Sequence, residues 1–273
     1  MVSQEQRRRQ LAREKFLRQQ QRRTAARRKT HTRNAVIASV VGVLVAGGAL
    51  SFATGVFKDD GKKKTSAGSE VSPSATPSKA SDPCEKPAAG KVKSLSWKKE
   101  PAVTIDKSAA YTMKMATTCG DIDIALKASA APHTVNSFSY LAGKGFFDHT
   151  KCHRLTTNGI YVLQCGDPTA QGSGGPGYTI PDENLKDKTL KAGVYPAGTI
   201  AMANTGQKHT GGSQYFLVYQ DSQLPPSYTP FGTISKSGMT VLKKIAAAGE
   251  STGQGDGAPN ATVVINKMTV AKS

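Results

Sequence analysis

Residues 152–167 read CHRLTTNGIYVLQCGD, and the fold of the whole chain turns on how this stretch is laid out. Aromatic and β-branched residues flank a Thr157-Asn158-Gly159 turn, so the stretch predicts two short strands, Lys151–Thr156 and Ile160–Cys165, closed into a hairpin. Cross-strand neighbours lie about 5 Å apart at Cβ. Arg154 on the first strand can therefore stand beside Gln164 on the second. Alone, such a pair is an ordinary solvated patch on a sheet face.

A second stretch changes that reading. Residues 201–219, AMANTGQKHTGGSQYFLVY, place Met202-Ala203-Asn204 on a strand, then a Gly-rich turn, then Ser213-Gln214-Tyr215-Phe216 on another strand. Taken together, His153-Arg154, Gln164-x-Gly166-Asp167, Met202-Ala203-Asn204 and Gly212-Ser213-Gln214-Tyr215-Phe216 resemble the signature of the cyclophilins, the peptidyl-prolyl cis/trans isomerases, in order and at nearly its spacing. The hairpin turn and the 204–212 turn are slightly longer than usual, and loops tolerate such changes. The resemblance extends from about Tyr111 to the C-terminus.

The chain carries 37 Lys and Arg against 19 Asp and Glu, a net charge of +18. That excess is uneven: residues 1–33 hold 12 basic and two acidic side chains. Such an arm could bind nucleic acid, but its neighbour argues for lipid. Residues 35–57 carry no charge at all. At 1.5 Å per residue, an apolar helix of this length crosses a hydrocarbon core of roughly 30 Å. The sequence thus predicts a basic cytoplasmic arm (1–33) and a transmembrane helix (34–57), with basic residues held inside and the C-terminus outside. A cleaved signal peptide is the rival reading, for which both the lead and the apolar run are long. Residues 58–108 then read as a flexible linker or extension, rich in Lys, Ser, Pro, Ala and Gly up to residue 90. Lys91–Ile105, with the lone Trp97, fits either the end of the tether or a segment packed on the domain.

The remaining residues, 109–273, read as one mainly β domain. Tyr111–Thr117 and Asp121–Lys127 form a candidate hairpin, Pro132 opens a helix to Gly143, and strands fall near Thr199–Ala203, Gln214–Tyr219, Phe231–Ser235 and Thr262–Val270. A second helix is expected over Met239–Ala248. Eight strands and two helices suit a closed eight-stranded β-barrel capped at each end, without exposed edges.

Several chemistries lack support. Gly172-Ser173-Gly174-Gly175-Pro176-Gly177 matches a dinucleotide-binding fingerprint in letters, but Pro176 precludes the helix that should follow, so it reads as a surface loop. His149 sits before the strand and alternation sends Cys152 and His153 to opposite faces, and the four cysteines contain no C-x-x-C pair, so a metal site lacks support. In an exported domain they read as candidate disulfides, with Cys152 and Cys165 at the hairpin's open end as the pair and Cys119 as a guess for Cys84.

The family's activity would need no nucleophile, metal or cofactor. Prolyl isomerisation lowers a rotational barrier of about 20 kcal/mol that arises from amide resonance. A fixed cation hydrogen-bonded near the prolyl nitrogen in the twisted state would weaken that resonance, and Arg154 is permanently charged. The resemblance implies Arg154 and Gln164 as catalytic residues and a proline pocket of Tyr161, Val162, Phe216 and Leu224, with Tyr228 on its rim. It further implies backbone contacts at Gln164, Ala203, Asn204 and Gln214. The family's rim tryptophan has Gln223 as its nearest counterpart, which alters peptide preference and cyclosporin binding. The expected ligands are proline-containing segments of exported proteins, with membrane lipid at 34–57, nucleic acid unlikely and a monomeric domain. The alternative is a proline-binding chaperone or scaffold module with incidental turnover.

Overall fold

The computed structural model describes residues 82–273. The expected basic arm, the apolar run 34–57 and the tether up to residue 81 lie outside them; among the described residues no helix is long and apolar enough to cross a membrane. The fold begins with an antiparallel hairpin, β1 (Tyr111–Thr117) and β2 (Gly120–Leu126). Alternation buries Ile122, Ile124 and Leu126 on one face. The first helix, Pro132–Gly143, has proline in its first turn, where a missing N–H costs nothing. It buries Val135, Phe138 and Leu141, and the Phe138 ring centre sits 4.7 Å from Phe231 and 5.5 Å from Tyr215.

The stretch 152–167 departs from two continuous strands. Instead there are β3 (Thr150–Lys151), β4 (Arg154–Thr156) and β5 (Val162–Cys165). The break falls where the chain changes partners: the Cys152 N–H donates to Val263, and the His153 N–H donates to Gln164. The remaining strands are β6 (Val194–Tyr195), β7 (Thr199–Met202), β8 (Tyr215–Val218), β9 (Ser222–Gln223), β10 (Pro230–Ile234), β11 (Asp256–Gly257) and β12 (Val264–Lys272). The second helix, Lys236–Ala247, starts three residues before its expected position because the Ser235 hydroxyl accepts the Gly238 N–H at 3.0 Å and caps it.

The expected closed eight-stranded barrel is not what forms. Ten strands make one sheet in the order β11-β4-β5-β8-β7-β10-β2-β1-β12-β3, and β6 and β9 pair separately. The sheet is a curled half-barrel. Through Cys152-His153 the chain passes from β3, at one end of the sheet, to β4, the strand next to the other end. A Cys152–Cys165 disulfide spans the same junction.

Sequence composition groups residues 82–108 with the tether, yet this segment is held against the domain. It contains no helix or strand. A Cys84–Cys119 disulfide anchors one end. Further along, Asn136 accepts the Thr104 N–H at 3.0 Å and donates to the Ala102 carbonyl at 3.0 Å. The Trp97 ring meets Tyr140 edge-on, 5.4 Å between centres. Low apolar content would leave such a segment unfolded alone, and these few anchors offset its chain entropy.

Candidate active site

Register builds the site. Arg154 pairs with Gln164, Gln164 with Phe216, Phe216 with Ala201, and Ala201 with Pro230. Residues so paired share one face of the sheet, at about 4.8 Å per strand. A cation, an amide, an aromatic ring and a methyl group therefore stand in one row across β4, β5, β8 and β7.

Beneath and beside this row lies a small apolar cluster separate from the main core. Val162, Tyr195, Ala201, Phe216 and Val218 are buried in it, and Ala203, Leu224 and Tyr228 pack against it partly exposed. The rings of Phe216 and Tyr228 meet edge-on at 5.3 Å. Tyr195, which composition gave no reason to single out, forms the floor. Its hydroxyl donates to the Tyr228 carbonyl at 2.8 Å and accepts the Tyr228 N–H at 3.2 Å, tying down the loop that carries Tyr228. Burial pushes the Tyr195 phenol up to about 12.

The polar side is a continuous chain of hydrogen bonds. Asp256 takes two from Arg154, Nε to Oδ1 at 2.7 Å and Nη2 to Oδ2 at 2.8 Å. The remaining edge of the guanidinium donates from Nη1 to Gln164 Oε1 at 3.2 Å. Gln164 Nε2 donates to Gln214 Oε1 at 2.9 Å, and Gln214 Nε2 donates to the Gly174 carbonyl at 3.0 Å. Asp167 completes the support: its carboxylate accepts from the Gly174 and Thr169 N–H groups at 3.1 and 2.7 Å. Although burial opposes it, these bonds and the Thr169 hydroxyl hold the Asp167 carboxyl below its ordinary range. The bond to Asp256 raises the Arg154 pKa further. The guanidinium is charged, oriented by a bidentate fork, and its side chain remains 36% exposed.

Arg154, Gln164, Val162, Ala203, Gln214, Phe216, Leu224 and Tyr228 thus gather around one groove. Asn204 borders it, its amide donating to the Ser227 carbonyl at 2.8 Å. Tyr161 is set apart. It meets Tyr219 at 5.9 Å and is not part of the apolar cluster, standing one residue before β5 begins. Gln223 is exposed and donates to the Ala192 carbonyl at 2.8 Å. Sequence reading missed Asp256. Its only local signal is an acid set in a glycine-rich stretch, and β11 is too short for periodicity to reveal.

Residues 112–270 match the family described as "Cyclophilin type peptidyl-prolyl cis-trans isomerase/CLD". The chain is 48% identical over 198 residues to the "Probable peptidyl-prolyl cis-trans isomerase B" of Mycobacterium leprae, covering 70% of this chain and 63% of that protein. Its likeness to the Mycobacterium tuberculosis protein of the same description is 44% over 201 residues, 71% of this chain and 61% of that one. It therefore spans less than two thirds of the length of these relatives. A solved cyclophilin-type peptidyl-prolyl cis-trans isomerase from Cryptosporidium parvum superposes with a TM-score of 0.50 at 25% identity, over 60% of this chain and 99% of that one. The matched residues exceed half of the chain and include the whole row from Arg154 to Pro230, so the chain belongs to the cyclophilin-type peptidyl-prolyl cis-trans isomerase family.

Proposed function

We propose that this chain catalyses cis/trans isomerisation of peptidyl-prolyl bonds in exported proteins, held at the outer face of a membrane by residues 34–57. The observation that carries the reading is the Arg154 guanidinium, aligned by Asp256 and Gln164 in one row with the Phe216 ring. A proline ring seated on Phe216, Val162 and Leu224 brings its amide toward that charge. As the amide twists, the prolyl nitrogen regains its lone pair, and a hydrogen bond to it stabilises the twisted state more than either planar one. The Gln164–Gln214 pair and the Ala203–Asn204 backbone hold the flanking peptide. No bond is made or broken, so these residues supply positioning and charge alone. The alternative of a binding module with incidental turnover predicts equal affinity but slow exchange.

The membrane part rests on the uncharged run at 35–57 and the basic residues before it. Exchange spectroscopy on a proline peptide, with and without the full chain, tests the activity; exchange no faster than the uncatalysed rate would refute it. Protease added to spheroplasts should release the C-terminal domain, and a protected domain with a cut N-terminus would reverse the orientation.

A further inference from the structure

A cleft of about 900 Å³ adjoins the groove and shares Gln164, Ala203, Asn204 and Gln214 with it. Lys98, Lys99 and Glu100 also line it, and they lie outside the residues matched to the family. The fold sets this stretch firmly. The Trp97 N–H donates to the Pro176 carbonyl at 2.8 Å, and its ring is wedged between Tyr140 and Phe146. The glycine-rich loop makes the seat: at Gly177, φ is +89° and an added Cβ would lie 2.7 Å from the Trp97 carbonyl oxygen. The loop that resembles a nucleotide fingerprint in letters thus serves to let the extension's backbone pass close by.

The charges in this cleft are unbalanced. Glu100 is turned toward His133, 2.7 Å from Nδ1. Lys98 and Lys99 are exposed and have no ion-pair partner among the described residues. The other lining residues are neutral. A peptide running along Gln164, Ala203 and Gln214 advances about 3.3 Å per residue, so side chains within a few residues of the proline reach the lysines.

We propose that Lys98 and Lys99 make this cleft a second subsite that selects an acidic side chain flanking the proline. This rests on the isomerase reading above, and the same measurements separate the two. Peptides carrying Glu, Gln or Lys at each of three positions on either side of one proline are compared with the full chain and its K98Q/K99Q variant, by exchange rate and by calorimetric affinity. Exposed ion pairs are individually weak, so glutamate should be favoured over glutamine by roughly three- to tenfold at one position and lysine disfavoured. Added salt should shrink the ratio, and the double variant should bring it close to one. Equal ratios in the unmodified chain, or a preference that persists in the variant, would overturn the subsite. Should no peptide be turned over while a lysine-dependent affinity ratio remains, the isomerase reading falls and the subsite stands. Turnover without any charge preference means the reverse.

Discussion

On β5, β7 and β8 the residues Leu163, Cys165, Ile200, Met202, Tyr215 and Leu217 turn into the main core, whereas Val162, Ala201, Phe216 and Val218 turn outward into the smaller cluster. Both faces come from the same strands by simple alternation. The inner face is covered by the first helix and the rest of the curled sheet, so its side chains are sealed in close packing. The outer face has buried Tyr195 beside it, and Ile160, Leu190, Ala203, Leu224 and Tyr228 over it remain partly exposed. Beside it runs the polar chain from Asp256 to Gly174. The difference is one of cover: the inner face stabilises the fold, while the outer one keeps an apolar floor and an oriented charge open to a ligand.

Four substitutions sharpen or break this contrast. Leu217 is fully buried on the inner face, and Leu217→Ala should cost roughly 2–5 kcal/mol of stability, read by urea denaturation. A variant that kept its midpoint but lost turnover would erase the distinction between the faces. Arg154→Ala belongs to the other face. Loss of one preorganised contact there should cost about 3 kcal/mol of transition-state stabilisation, on the order of a hundredfold in kcat/KM, with the fold intact. A folded, fully active variant would remove Arg154 from the mechanism.

Asp256→Asn tests orientation rather than charge on the substrate. Its side chain is 55% exposed, so the pair is screened and the loss should be small, about fivefold in kcat/KM, without a matching change in peptide affinity. A variant that changed affinity alone would show that Asp256 acts on the peptide instead.

The smallest effect concerns acid stability. Both ring nitrogens of His153 are buried without a hydrogen-bond partner among the described residues. Burial lowers its pKa, helped by the charge of Arg154 and opposed by Asp167. The unfolded chain then binds a proton more readily than the folded one, so stability is retained above the ordinary value of about 6.5 and declines as pH falls below it. His153→Gln should flatten the decline between pH 7 and 5.5. An unchanged slope in that variant would assign it to other groups.

Much of the groove was legible because its residues are close in sequence or in recognisable patterns. Arg154 and Gln164 are cross-strand partners of one hairpin, a relation that a single turn sets. The Phe216 row followed from the resemblance, not from periodicity, since an apolar residue on a buried strand is ordinary core to any local reading. That Tyr161 meets Tyr219 while its neighbour Val162 lies in the smaller cluster is something the motif alone does not tell. The closed barrel failed for another reason: strand count does not reveal whether the last ladder forms.

Sequence by itself determined the first hairpin and the helix Pro132–Gly143, because alternation, a proline at the first turn and a terminal glycine are signals contained within each element. It also determined the permanent charge at Arg154. Tertiary structure alone decided where that charge points, since Asp256 lies 102 residues away and is brought back by a two-residue strand. It likewise decided that Trp97 and the Cys84–Cys119 disulfide hold residues 82–108 on the domain and set two lysines beside the groove. Such pairings are chosen by how the whole sheet curls and packs, and no local stretch of chain carries that information.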